Sequence, residues 1–295
     1  MSILRPTLRC LCSGAFCQRA VEYTERPEGE TPFQGEDDAY HRAYDACRVC
    51  GHFFAALTHD VTSFYEEGYV NATYGSLEGI REQFQKIVSH PPEQSDNHWR
   101  VRRVDGYWRR CGGVATKAPR LLDVGCGLAV FPFRMRQAGW ECTVIDPDQR
   151  AVDHAANDLG IKALTGDFSG VSSEDLGRYD AITFNKVLEH IEDPVPLLEK
   201  AAEHLQPEGV VYVEVPDTRA QEDPLGFGRE EFFIDHLHVF SAASLCHLVE
   251  MSGLRVSHLS RFREPSGKYT LAVFCSREQV IGGGAAVGGE LLCRC

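Results

Sequence analysis

Between residues 120 and 276 the chain alternates short apolar runs with stretches whose apolar positions recur every three or four residues. The runs at 120–124, 141–145, 179–184 and 209–215, with a shorter one at 162–164, predict strands. Periodic stretches at 131–138, 149–159 and 195–205 predict helices between them. A further helix at 241–252 opens at Ser241, a good cap, and stops at Gly253. Alternation of this kind builds a mainly parallel sheet covered by helices on both faces. Two last runs, at 254–260 and 269–275, have no helix between them and predict an antiparallel pair closing the sheet edge. The expected fold class is therefore α/β, a doubly wound, mainly parallel seven-stranded sheet.

Upstream the pattern changes. Residues 25–38 are acidic and rich in Gly and Pro, which reads as a loop between two groups of cysteines. Residues 96–111 predict a helix ending at Gly112-Gly113, and Lys117-Ala118-Pro119 lead into the first strand. The chain thus divides into an N-terminal module at 1–75, a helical linker or lid at 76–115, the α/β domain at 116–280 and a flexible, glycine-rich tail at 281–295.

Charge narrows the partners. With 43 acidic against 30 basic residues the formal net charge is −13, which repels nucleic-acid phosphates. Arg100, Arg102, Arg103, Arg109 and Arg110, set among Trp99, Tyr107 and Trp108, read as the solvated face of a partly buried helix. No run of about 18 apolar residues is present to span a membrane, and the start of the chain carries no apolar segment of export-signal length. These features predict a cytoplasmic protein with a small-molecule partner, no nucleic acid and no membrane; they leave the oligomeric state open. Twelve cysteines spread over such a chain fit reduced or metal-bound thiols better than a disulfide scaffold.

The strongest chemical signal is LLDVGCGLAVF at 121–131, an apolar strand running into Asp123 and then Gly125-Cys126-Gly127 before a helix. Glycine suits a tight turn that a ligand must approach closely. The next strand ends in Val144-Ile145-Asp146, placing a carboxylate where it accepts both hydroxyls of an adenosine ribose. Asp167-Phe168 follows the third strand, an acidic group beside an aromatic face that suits adenine. The fourth strand opens into Asn185 and then Val187-Leu188-Glu189-His190. A nicotinamide dinucleotide fold is disfavoured, because Ala129 and Val130 follow where its third glycine is needed.

This order resembles the Rossmann-like, class I S-adenosylmethionine-dependent methyltransferases, in particular the branch with a VLEH motif after the fourth strand, over Arg120 to Cys275. The resemblance implies that Asp123, Gly125 and Gly127, with Cys126 between them, line the methionine part of the cofactor. It implies that Asp146 holds the ribose, that Asp167 and Phe168 frame the adenine and that Asn185 closes the site. Ala129 departs from the glycine the family often has there. Methyl transfer to a protonated acceptor also needs a base, for which Glu189, His190 and the segment Phe233-Ile234-Asp235-His236-Leu237-His238 are candidates. In an extended chain His236 and His238 share a face and Asp235 points away unless the backbone turns. Sugar-nucleotide C-methyltransferases are similar here and use an acidic residue followed by His as an acid/base dyad, which carries over to Asp235 and His236 with Asp replacing the usual Glu. His238 then reads as structural; a His-x-His metal pair is a third reading with no further ligand evident.

Cys10-Leu11-Cys12 and Cys47-Arg48-Val49-Cys50-Gly51 supply four thiolates for a structural zinc ion, with Cys17, His41 and His52 as substitutes. The same sugar C-methyltransferases are similar in this region too, with an N-terminal zinc module, a CxxCG knuckle and an aromatic run like Phe53-Phe54. By that analogy Tyr65, Tyr69 and Tyr74 line the acceptor pocket. The residues that follow the expected methyltransferase core are too few for the long C-terminal domain of those enzymes, which argues against carrying over their sugar substrate outright. The expected function is methyl transfer from S-adenosylmethionine to carbon, oxygen or nitrogen of a small molecule, a nucleotide-linked sugar or a secondary-metabolite intermediate. The alternatives are a quinone-pathway-like O-methyltransferase and a non-catalytic cofactor-binding scaffold.

Overall fold

A computed structural model describes residues 16–30, 40–57, 76–111 and 118–277. In chain order the strands are β1 (Cys17–Tyr23), β2 (Arg42–Cys47), β3 (Phe53–Leu57), β4 (Arg120–Val124), β5 (Glu141–Asp146), β6 (Lys162–Thr165), β7 (Tyr179–Asn185), β8 (Leu205–Pro216), β9 (His238–Val239), β10 (Leu254–Arg263) and β11 (Tyr269–Arg277). The helices are α1 (Leu77–Val88), α2 (Asp96–Arg110), α3 (Val130–Gln137), α4 (Gln149–Asp153), α5 (Ser173–Leu176), α6 (Val195–Glu203) and α7 (Ala242–Met251).

Seven strands form one sheet in the order β6-β5-β4-β7-β8-β11-β10. The neighbours from β6 to β8 pair in parallel, and β11 lies antiparallel to both β8 and β10. This is the expected doubly wound sheet with its antiparallel pair at the edge. The central runs are apolar on both faces because both faces are covered. Alternate residues along β4 make the point: Leu122 packs with Ile182, Phe184 and Leu198 of α6, whereas Leu121 packs with Val144, Met135 of α3 and Trp108 of α2. Strand order reverses between β4 and β7, and in open sheets of this type the crevice beyond those strand ends takes the ligand.

The helices start where their caps allow. The Ser95 side chain accepts from the His98 N–H to open α2, and Ser241 and Ser244 form a reciprocal capping box at α7. The stretch predicted as one helix at 149–159 is α-helical only to Asp153, then widens into a π turn over His154–Asp158. Helix α1 is amphipathic, with Ile80 and Phe84 buried and Ile87 and Val88 packed, partly buried, against the same cluster.

A second, antiparallel sheet runs β1-β2-β3-β9. Its last strand comes from the far side of the chain, pairing Phe53 with Val239 and Phe54 with His238. Tyr23, Tyr44 and Phe53 pack there against Phe232, Ile234 and Val239. In this sheet Cys17 lies opposite Cys47, and buried Cys47 and Cys50 pack with Cys17 and Phe54. Cys10, Cys12, Tyr65, Tyr69 and Tyr74 lie outside the described residues. Among the described residues no helix is long and apolar enough to cross a membrane.

Candidate functional site

All twelve residues expected to bind the cofactor or handle the acceptor line one cleft of about 600 Å³, a volume suited to a small-molecule ligand. At one end lies the glycine turn. Gly125 has φ 73°, and a Cβ there would meet Val187 Cγ2 at 2.6 Å, so conformation and space both demand glycine. Gly127 (φ 48°) and Ala129 (φ 54°) continue the left-handed backbone. Ala129 tolerates with strain what glycine adopts easily, and the strained residue sits at the start of α3 beside the cleft.

Asp123 is buried at the end of β4, where the Thr183 hydroxyl (2.6 Å) and the Asn185 amide (2.8 Å) donate to its Oδ1. Burial pushes its carboxyl up to about 7, against those hydrogen bonds and the nearby Arg100 guanidinium. Asp146 accepts the Gly127 N–H on one oxygen and the Asp148 N–H on the other, both at 2.9 Å. Burial raises this carboxyl as well. Each carboxylate oxygen accepts two hydrogen bonds, so Asp146 keeps capacity for ligand hydroxyls while bracing the glycine turn. Asp167 accepts the Ser169 N–H at 2.8 Å. Phe168 is largely a core residue, edge-on to Phe184, and only borders the cleft. Burial also drives the Cys126 thiol well above its ordinary range.

At the other end, β7 runs into a short 3-10 turn, Leu188–His190. Glu189 is fully buried, and neither of its carboxylate oxygens has a hydrogen-bond partner among the described residues. The His190 ring lies 4.9 Å from the His236 ring, centroid to centroid. Each donates its Nδ1–H to a backbone carbonyl, His190 to Asp235 (2.8 Å) and His236 to Glu231 (2.9 Å). Because a carbonyl only accepts, these bonds put the proton on Nδ1 of each neutral ring. The Asp235 carboxylate lies 3.9 Å from both rings.

The expected alternation along 235–238 does not hold. The His236 N–H donates to the Phe233 carbonyl, so the chain turns before β9. Asp235 and His236 therefore both face the cleft, whereas His238 is fully buried against His52, ring nitrogens 3.1 Å apart. Burial holds His238 down to about 4, consistent with a structural role for that ring.

The arginine face also needs correction. Arg109 and Arg110 are exposed, but Arg100 and Arg103 turn inward to Glu214 on β8, each at 2.6 Å. Burial alone would raise the Glu214 carboxyl; the two guanidiniums overcome this and hold it down to about 2. A fully buried carboxylate in the middle of a sheet requires cations, and α2 is the element that supplies them. The single sequence signal was Glu214 itself, a charge within the apolar run VVYVEV. Arg100 and Asn97 consequently line the cleft, which the sequence pattern did not indicate. Lys186 lines it too, in left-handed conformation (φ 60°) with its ammonium donating to Thr270 at 2.8 Å. Gly29 and Glu30 reach the acceptor end from the N-terminal region, where Glu30 accepts from Arg42 (2.7 Å) and from the Ile234 N–H (2.6 Å).

A glycine turn at a parallel-sheet switch point and a carboxylate after the second strand form a nucleotide-type cleft, which is the arrangement expected of the class I S-adenosylmethionine-dependent methyltransferases. A family model described as a methyltransferase domain matches residues 97–259, more than half of the chain, and the chain belongs to that family. It is 26% identical over 164 residues to the ubiquinone biosynthesis O-methyltransferase of Thiobacillus denitrificans, covering 50% of this chain and 71% of that one. Against the enzyme of the same description from Actinobacillus pleuropneumoniae the identity is 29% over 119 residues, covering 37% of this chain and 50% of the relative. The chain thus spans only half the length of that relative. Among solved structures, magnesium protoporphyrin IX methyltransferase from Synechocystis with bound SAH superposes with a TM-score of 0.55 at 15% identity, over 74% of this chain and 100% of that one. At that identity the likeness concerns the fold.

Proposed function

We propose that this protein transfers the methyl group of S-adenosylmethionine to a small-molecule acceptor, with Asp123, Gly125, Cys126, Gly127, Asp146, Asp167, Phe168 and Asn185 holding the cofactor. The observation that carries the reading is the single cleft joining Asp146 and the glycine turn at one end to Asp235 and His236 at the other. Bound there, the cofactor supplies an already activated methyl group. The residues of this chain then have to orient the acceptor in line with it, exclude water and take the acceptor's proton. Arg100, beside the buried Asp123, is well placed to meet the cofactor's carboxylate. At the acceptor end Asp235 and His236 are the proposed proton-handling pair, with Glu189 and His190 beside them.

The acceptor we favour is a nucleotide-linked sugar or a secondary-metabolite intermediate that loses a proton on methylation, since four proton acceptors converge there. Phosphate groups of such a ligand would have to stay at the mouth, away from these carboxylates. The second reading, methylation of an aromatic hydroxyl, is favoured by the names of the relatives. A structural zinc ion at the N-terminal thiols is also proposed, with Cys47 and Cys50 joined by Cys10 and Cys12; the packing of Cys17 on this pair makes it a further ligand candidate.

Three measurements test these readings. Calorimetry with S-adenosylhomocysteine should show one site, and no heat would sink the cofactor reading. Product formation with nucleotide-sugar and catechol acceptors distinguishes the acceptors, and His236→Ala should lower turnover far more than cofactor affinity. Metal analysis of the purified chain should find zinc that Cys47→Ser loses.

A further inference from the structure

We infer that Glu189, His190 and His236 form a site for one divalent transition-metal cation at the acceptor end of the cleft. The inference deepens the proposed methyl transfer and rests on the reading of this cleft as its site.

Proximity comes first. One donor atom from each of the three residues lies within 4.8 Å of the other two. Metal–ligand bonds of ~2.0–2.2 Å in tetrahedral geometry place donors about 3.4 Å apart, so a cation need draw this set together by little more than about 1 Å. Three donors from two distant segments at such spacing already approach a coordination face.

Glu189 is the second observation. It is fully buried, lines the cleft, and has no hydrogen-bond donor on either oxygen among the described residues. The nearby Lys186 ammonium is bonded to Thr270 on β11. Buried carboxylates are nearly always satisfied by donors or cations, and a metal ion at this position satisfies this one.

The third observation is the support around the two rings. Each imidazole donates its Nδ1–H to a backbone carbonyl, leaving the lone pair of the neutral ring on Nε2. A ring nitrogen held by a carbonyl is the usual outer arrangement of a metal-bound histidine, fixing both tautomer and orientation. The peptide carbonyl of His236 is itself held by the Tyr44 hydroxyl at 2.6 Å, which anchors this ligand to the N-terminal sheet. With both imidazoles ligating, His236 no longer handles the acceptor's proton, and that role passes from the Asp235–His236 pair to Asp235 alone, 3.9 Å from each ring.

Two imidazoles and one carboxylate suit zinc, cobalt or manganese better than calcium or magnesium, which prefer all-oxygen ligands. Three protein ligands leave positions open toward the cleft, and these take an acceptor bearing a hydroxyl or carbonyl oxygen.

The test is titration of the full chain with Co²⁺, read by its visible absorption, alongside calorimetry with S-adenosylhomocysteine. One equivalent should bind with the weak bands of a nitrogen and oxygen site, and this signal should persist in Cys47→Ser. Glu189→Gln and His236→Ala should each weaken it at least about tenfold, while both still bind S-adenosylhomocysteine. X-ray absorption at the cobalt edge of the unmutated chain gives a reading independent of whether a variant folds: imidazole scattering without sulfur, in the Cys47→Ser-resistant equivalent, supports the site. Uptake confined to a thiolate-rich equivalent that Cys47→Ser abolishes, or unchanged binding in folded Glu189→Gln, overturns it. Cofactor bound without this cobalt equivalent overturns the metal site alone; cobalt bound without cofactor upholds the site and overturns the methyltransferase reading.

Discussion

At the cofactor end of the cleft the carboxylates of Asp123 and Asp146 already have protein donors, whereas at the acceptor end the buried carboxylate of Glu189 has no donor on either oxygen among the described residues. At the cofactor end only Asn185 Oδ1 and Asp148 Oδ2 have no partner among those residues. Asp146 and Asp123 each receive two protein hydrogen bonds before any ligand arrives. Glu189 receives none from the described residues. The first end is thus a preformed cradle, held at Asp146 by backbone amides and at Asp123 by the Thr183 and Asn185 side chains. At the second, the proposed cation would supply what the described residues do not. The difference is also one of construction. Residues of the cofactor end follow their strands within a few positions, while those of the acceptor end come from the turn after β7, the loop before β9 and the Gly29-Glu30 segment.

The sharpest way to break this comparison is Asp146→Ala, which strips the Gly127 and Asp148 amides of their shared partner. Affinity for S-adenosylhomocysteine, measured by calorimetry, should fall by about 100-fold, as expected when two hydrogen bonds to a charged group are lost. A loss much smaller than that means the cradle is not braced by this carboxylate. Gly125→Ala comes next, because it forces both a left-handed alanine and a clash with Val187; denaturant unfolding should show a loss of about 1–3 kcal/mol.

Asp123 offers a pH test of the same end. Its folded-state carboxyl is raised from 3.8 to about 7, mainly by burial and further by Asp146, against Thr183, Arg100 and Asn185. The folded chain therefore holds this proton more tightly than the unfolded one. That contribution to stability is complete below about pH 4 and is lost as pH rises through about 7. Thermal melts of Asp123→Asn should accordingly lose stability less steeply than the parent between pH 5 and pH 8. The smallest effect belongs to the acceptor rim, where Lys268 pairs with Glu230 at 3.1 Å in partly exposed surroundings. Lys268→Ala should change stability by less than about 0.5 kcal/mol and shift the acceptor KM a few-fold, leaving cofactor affinity unchanged in calorimetry.

Much of the cofactor end was legible because its determinants are local. A strand, a turn that requires left-handed backbone and a carboxylate at the end of the next strand leave marks at fixed offsets, and Asp123, Gly125, Gly127 and Asp146 all line the cleft as expected. Asp235 and His236 could be named as candidates, but the turn at Phe233 that aims both inward could not be seen in an extended-looking run. Arg100 escaped for a related reason. An arginine on a helix looks solvated until a partner such as Glu214, 114 positions away, is brought beneath it. A division between an N-terminal module and the α/β domain was expected from composition; β9, from beyond β8, pairs with β3 and completes the small sheet.

By itself the amino-acid sequence determined the alternation of strands and helices, the glycine turn and the carboxylates that follow it, since these depend on side-chain period and on backbone conformations open mainly to glycine. Only the tertiary structure decided that Glu189 would be buried beside His190 with no donor among the described residues, and that His236 would close on them from a distant loop. Contacts between distant segments depend on how the elements pack, and packing leaves no periodic mark on the chain.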